Sequence, residues 1–574
     1  MIIGKCQGET DMLDLVIRGG TVIDGSGGAP RTADVAVKDG VIVSVGGKAG
    51  PATRDVQADG ALVTPGWVDI HTHYDGQATW DADLTPSSWH GVTTTVFGNC
   101  GVGFAPVRPG DEPYLINLME GVEDIPEIVL SEGIDFRWES FPDFMNVLAE
   151  TNRTMDIGTQ VPHAALRFYC MGDRGADHGS LPTGDEIDRM GLLLEEALTA
   201  GALGFSTSRT IKHKAADGRF TPSLTAREPE LVGLARAMKR AGRGIIQVNS
   251  DFEPGDFETL RAVAAESSRP LSVLLIQVDN APDRWLDTRA GIRAANAAGQ
   301  KVNGQVASRP IGILMGLETS IHPFITHRTW RALADLTPAE RYQRLKNDAD
   351  LRQRLLDERP ENGHTKWMEF AMTRACRLTE PLDYEPDLAN SIASLAAREG
   401  VDPWAKALDM LMEGDGKAIL LFPFENYNAG NLDVIREMLM DPETVCGVAD
   451  GGAHVGLICD SSSPTTLMTL WGRDRKRGDG IPLPHLVKKQ TRDTALTYGL
   501  TDRGLLAPGM KADINVIDFD NLRALQPEVV YDMPAGGKRL IQRSSGYRHT
   551  FVSGIETLNN SELTGNRPGR LIRG

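Results

Sequence analysis

The chain reads as an α/β protein with a parallel sheet at its centre and extra β-structure from both ends. Three observations predict this. Short apolar runs alternate with helical stretches through the middle of the 574 residues, the pattern of repeated strand–helix units. The two ends instead carry strand-like runs separated by turn residues. An apolar, partly β-branched run also closes on His71-Thr72-His73, which marks the end of a strand. Periodicity alone leaves open whether the central sheet closes into a barrel or stays an open, doubly wound sheet. No GxGxxG or P-loop motif near a strand end supports the open form.

The elements follow in order. Residues 15–18 and 21–23 flank Gly19-Gly20, and residues 34–37 and 41–45 flank Asp39-Gly40; both dipeptides are hairpin signals. Strands are expected at 93–97, 244–248 and 271–276, and helices at 185–200, 228–241 and 257–266. Residues 325–415 break the rhythm with charged, helix-prone sequence. They predict a solvated helical insertion, with a lid or subunit contact as the sharper alternative. Residues 513–518 and 549–552 are strand-like again. Neither end has enough apolar surface for its own core. Residues 1–64 and 492–574 are therefore expected to form one small β-domain, leaving 65–491 for the central domain.

Composition narrows the function. A hydrophobic fraction of 41% and a charged fraction of 24% are those of a globular chain. The net charge of −18 and a pI near 5.2 argue against nucleic acid as a partner. No apolar run approaches the roughly 20 residues that span a bilayer, so no membrane partner is expected. The first eleven residues lack a basic segment followed by a long apolar one, so no secretory signal is expected. Six cysteines without a CxxC pair do not form a disulfide framework. Together these favour the cytoplasm. A homo-oligomer is compatible with all of it.

Side chains at i and i+2 of a strand share a face, so His71 and His73 can offer two nitrogens to one metal ion; two ordinary surface histidines are the alternative. Asp450 closes an apolar run and precedes Gly451-Gly452-Ala453-His454, as at the end of a last sheet strand. Its carboxylate suits zinc, or it caps a turn. His454 orients Asp450, touches substrate or faces solvent. Cys100, just after the run 93–97, reads on its own as a buried cysteine. Nucleophile elbows, HExxH helices and phosphate loops are absent.

Several segments resemble the amidohydrolase superfamily, and within it the N-acyl-D-amino-acid deacylases. They are Pro65-Gly66-Trp67-Val68-Asp69-Ile70-His71-Thr72-His73, Asp75, Gly91-Val92-Thr93-Thr94-Thr95 and Gly98-Asn99-Cys100-Gly101. Later come Asp502-Arg503-Gly504, Gly509-Met510-Lys511-Ala512-Asp513 and Pro568-Gly569-Arg570-Leu571. The resemblance implies a (β/α)8 TIM-like barrel with a small β-sandwich built from both ends. It implies a hydrolase acting on a small-molecule amide. It also implies metal ligation by His71, His73, Asp450 and Cys100, with Asp450 as the catalytic proton carrier.

One departure stands against this. The family supplies two more histidine ligands from the ends of the fifth and sixth strands. Here those ends offer Gln247, Asn249, Gln277 and Asp279, and no histidine falls between His213 and His322. One zinc ion, or another divalent transition metal, is therefore expected rather than two. His163, Arg209, Lys214, Gln247, Gln277, Arg309 and His454 are the candidate substrate contacts, with His213 beside the basic cluster of Arg209, Lys212 and Lys214. The alternatives are a lactone or cyclic-amide hydrolase on the same fold, and a catalytically silent barrel that serves as a binding scaffold.

Overall fold

The computed structural model describes residues 12–574. The first eleven residues, on which the expectation about a secretory signal rests, lie outside the described residues. The central sheet has eight strands, every neighbouring pair parallel. They are β1 (Trp67–Asp69), β2 (Val92–Phe97), β3 (Asp156–Pro162), β4 (Gly204–Arg209), β5 (Ile245–Ser250), β6 (Leu271–Leu274), β7 (Val302–Val306) and β8 (Thr444–Cys446). The sheet closes through the segments that follow β1 and β8. The Asp450 N–H donates to His71 O at 3.0 Å and the His73 N–H to Gly451 O at 2.8 Å. The barrel is thus fastened at the point where the two histidines and the aspartate meet.

The expected helices are present as Gly184–Thr199, Glu228–Ala241 and Asp256–Ser267. The first opens on a capping box, in which Thr183 and Glu186 satisfy each other's backbone N–H groups. Every residue of β2 and of β3 is buried, as expected where helices cover one face of a parallel sheet and side chains fill the interior.

Both chain ends contribute to one antiparallel-dominated sheet. Leu62–Pro65, which runs straight into β1, pairs with Leu13–Val22 on one side and Ile514–Ile517 on the other. Leu15, Ile17, Val35, Val63, Ile514, Val516 and Phe551 form its core. Asp39-Gly40 makes the expected hairpin between Arg31–Lys38 and Val41–Val45. Gly19-Gly20 does not: Leu13–Val22 is one strand, and the glycines lie at a register shift within it. A bulge and a hairpin turn both call for glycine, so the dipeptide alone could not separate them.

The C-terminal motifs tie this sheet to the barrel. Arg503 donates to Asp156, at the start of β3, at 2.6 Å and to the Thr94 hydroxyl of β2 at 2.8 Å. Lys511 lies 3.1 Å from the same Asp156 carboxylate. The segment at Gly569 and Leu571 adds β-bridges to Arg153 and Ile157.

The insertion is not purely helical. Between β7 and β8 the chain builds a second core around Phe324, Leu345, Leu355, Met368, Trp404, Leu408 and Phe422. A three-stranded antiparallel sheet of Ile311–Met315, Leu420–Glu425 and Cys376–Arg377 backs it. Ile311–Met315 and Leu420–Glu425 bound the charged helical sequence and pair across more than a hundred residues, a contact that local periodicity cannot reveal.

Candidate metal centre

The residues that follow β1, β2 and β8 converge at the mouth of the barrel. Cys100 Sγ lies 3.4 Å from His71 Nε2. Asp450 Oδ1 lies 3.5 Å from His71 Nε2 and 3.7 Å from His73 Nε2. One donor atom each from His71, His73 and Cys100 falls within 4.8 Å of the others. The expectation that His71 and His73 project together is met.

Local backbone geometry delivers these groups. Cys100, Val448, Asp450 and His454 have φ of 55°, 56°, 45° and 49°. Left-handed backbone at non-glycine residues costs roughly 1–3 kcal/mol each and is held only where surrounding contacts impose it. Those contacts are visible. Asn99 donates to Thr72 O and Val96 O, both at 3.0 Å, and accepts from the Gln160 amide at 2.8 Å. Gly101, at φ 70°, passes so close to β4 that a Cβ there would meet Ser208 N at 2.9 Å. After β8, His454 N–H donates to Glu123 O, and Gly456 N–H to Asp124 Oδ2 at 3.1 Å.

Three glutamines from alternate strands orient the centre. Gln160 of β3 holds Asn99. Gln247 of β5 accepts the Cys100 N–H at 2.9 Å. Gln305 of β7 lies 2.7 Å from His71 Nδ1, and its amide donates to Ser272 Oγ at 2.9 Å. Because that amide N–H points to Ser272, Gln305 Oε1 accepts from His71. The Nδ1 proton is thereby fixed and the Nε2 lone pair faces Cys100 and Asp450. On the other imidazole, His73 Nδ1 lies 3.2 Å from Glu123 Oε1. Glu123 Oε2 is 3.5 Å from His454 Nε2.

Electrostatics favour an added cation. Burial holds His71 down at about 4, His73 at about 3 and His454 at about 4, so these imidazoles are neutral near pH 7. Burial pushes Asp69 and Asp75 up to about 7, and Glu123 well above the usual carboxylate range; the Asp450 charge adds to the shifts of Asp69 and Glu123. His73 Nδ1, Glu123 Oε1 and Asp69 Oδ2 are buried without a hydrogen-bond partner. Neutral imidazoles, a thiol and crowded carboxyls with unmet donors and acceptors fit a divalent transition metal. A void of about 20 Å³ lies against Asp450 and is bordered by Gln77, Asp460 and Arg539, room for one water.

The profile of the amidohydrolase family matches residues 55–556. An N-acyl-D-aspartate deacylase from Alcaligenes xylosoxydans xylosoxydans is 34% identical over 566 residues, covering 97% of this chain and 95% of the relative. The chain belongs to the N-acyl-D-amino-acid deacylase family of amidohydrolases. Two solved structures resemble this amidohydrolase. One is an N-acyl-D-glutamate deacylase from Bordetella bronchiseptica complexed with zinc and a phosphonate inhibitor (TM-score 0.64, 23% identity, 98% of this chain and 100% of that one). The other is a D-aminoacylase with a binuclear metal centre showing one-metal activation and second-metal attenuation (TM-score 0.64, 23% identity, 98% and 100%). At that identity the likeness establishes the fold.

Of the residues singled out in the amidohydrolase's sequence, the structure brings His71, His73, Cys100, Asp450, Gln247, Asn249, His213 and His454 together. It engages the other candidate substrate contacts elsewhere. His163 is buried against Thr207 (2.9 Å) and Glu230 (3.0 Å), and Glu230 also pairs with Arg167. Arg209 pairs with Asp256 at 2.7 Å, and Lys214 lies over the Phe220 ring. Gln277 donates to Pro282 O at 3.1 Å. Arg309 is buried between Asp460 (3.0 Å) and the Tyr384 ring.

Sequence reasoning missed Glu123, the last residue of the helix Glu112–Glu123, and the roles of Gln160 and Gln305. The glutamines carried a partial signal, since each is a long amide side chain inside a barrel strand. Glu123 carried none. Among the described residues no helix is long and apolar enough to cross a membrane, and Cys100, Cys170, Cys376, Cys446 and Cys459 are buried and unbridged.

Proposed function

We propose that the chain is a metal-dependent hydrolase that cleaves an amide C–N bond of an N-acyl-D-amino acid, using one zinc ion. The observation that carries this reading is the convergence of His71, His73, Cys100 and Asp450 at one end of a closed barrel. His71, His73 and Asp450 would hold the ion, with Cys100 as a further ligand. When bound there, the ion supplies a Lewis acid that polarises the scissile carbonyl and acidifies water. Asp450, the one carboxylate beside both imidazoles, takes the proton of the attacking water and returns it to the leaving nitrogen. Gln305 keeps the His71 imidazole in register. The amide groups at the ends of β5 and β6, strands that carry no histidine of their own, support a single ion.

The same amide-lined half favours a second reading, a lactone or cyclic-amide hydrolase, because fold does not fix reaction. Elemental analysis of protein purified without added metal, followed by assays on N-acyl-D-amino acids, lactones and cyclic amides, separates the readings. Close to one equivalent of zinc and turnover of acylated D-amino acids is the expected result. Turnover of lactones alone selects the second reading. Absence of transition metal together with no activity after adding zinc, manganese or cobalt leaves a binding scaffold and overturns both.

A further inference from the structure

Asn249, near the end of β5, stands between the sulfur of the centre and a histidine from outside the strand ends. Its Nδ2 lies 3.7 Å from Cys100 Sγ and 3.3 Å from His213 Nε2. His213 Nδ1 lies 2.9 Å from the Oγ of Ser208, a residue buried in β4. The loop that carries His213 is fixed from two directions. Asp251 accepts the Thr210 hydroxyl at 2.6 Å and the Ile211 N–H at 2.8 Å. Glu425, from the insertion, pairs with Lys212.

A side-chain amide nitrogen carries two hydrogens, and this geometry gives one to the sulfur and one to the imidazole. His213 can accept at Nε2 only with its proton on Nδ1, where Ser208 Oγ receives it. The Asn249 N–H fixes the side from which the sulfur is held, and such a bond strengthens when its acceptor becomes anionic.

We propose that Asn249, oriented by His213, is the positioning residue that holds Cys100 Sγ in place as a donor to the metal ion. The inference rests on the proposed metal centre, and it assigns the amide-lined side a role in metal binding. With the N–H removed, the sulfur loses a fixed partner and becomes a stronger electron donor once ligated.

The test uses full-length protein loaded with cobalt(II). Sulfur-to-cobalt charge transfer absorbs in the near ultraviolet, a readout independent of turnover. In Asn249→Leu the band is expected to move to longer wavelength, and chelator competition to show roughly tenfold weaker retention, the scale of losing an outer-sphere partner. His213→Leu leaves the amide in place but frees its orientation, so a smaller change of the same sign is expected. This variant lies on a partly exposed loop and keeps the test available if Asn249→Leu fails to fold. A wild-type band that neither variant alters, with retention unchanged, overturns the inference alone. A cobalt-loaded wild type without the band overturns it together with the place of Cys100 in the ligand set.

Discussion

The two halves of the barrel mouth are built from different chemistry. Where β1 meets β8, two neutral imidazoles and a carboxylate face one point, with a thiol from β2 alongside. Across the mouth, β5 and β6 end in Gln247, Asn249, Gln277 and Asp279. There the polar groups bind protein: Gln247 holds the Cys100 backbone, Gln277 holds Pro282 and Asp279 pairs with Arg374 at 2.7 Å. Both halves keep buried groups without partners, Gln247 Nε2 and Gln277 Oε1 among them, but only the first brings imidazole nitrogen, carboxylate oxygen and sulfur to one place. The contrast teaches that metal capacity depends on the donor chemistry the strand ends supply, because amides are poorer ligands for a transition metal than imidazole or thiolate.

Substitutions should respect this division. The largest effect is expected from His73→Ala, which removes a nitrogen from the metal-facing half; elemental analysis should find metal content at background and activity lost. Asp450→Asn comes next. It keeps a neutral oxygen in place but cannot carry a proton, so turnover should fall by about 10²–10⁴ while metal content falls much less. Equal collapse of both would make Asp450 a ligand and nothing more. Gln305→Leu should weaken retention by roughly 10–100-fold, because His71 loses the group that fixes its tautomer. A change of similar size in Gln277→Leu would erase the contrast between the halves.

Much of the metal-facing half was legible because its signals are local. His71 and His73 sit two residues apart at a strand end, and Asp450 closes an apolar run before two glycines. The strand–helix alternation likewise exposed the parallel sheet. What stayed hidden depends on distant pairing. Glu123 reaches His73 from a helix end fifty residues away in sequence. The insertion sheet joins Ile311–Met315 to Leu420–Glu425 across the whole charged segment. Arg309 and His163 looked available because sequence does not show that Asp460 and Glu230 already hold them. Gly19-Gly20 had two structural uses and context chose the bulge.

The smallest expected effect concerns pH, and it tests the Cys100 position directly. Burial and the surrounding carboxyl groups push the Cys100 thiol up, so the metal-free protein carries a proton on that sulfur at neutral pH. Metal binding must displace it, and affinity therefore rises with pH, about tenfold per unit for each proton released. The imidazoles add nothing to this slope above pH 5, because His71 and His73 already lie at about 4 and about 3 and are unprotonated there. Glu123, also pushed up, adds to the slope in both wild type and variant. Chelator competition from pH 5.5 to 8 should accordingly show a slope that drops by one in Cys100→Ser. An unchanged slope would mean that the sulfur keeps its proton, and that the metal-facing half works with His71, His73 and Asp450 alone.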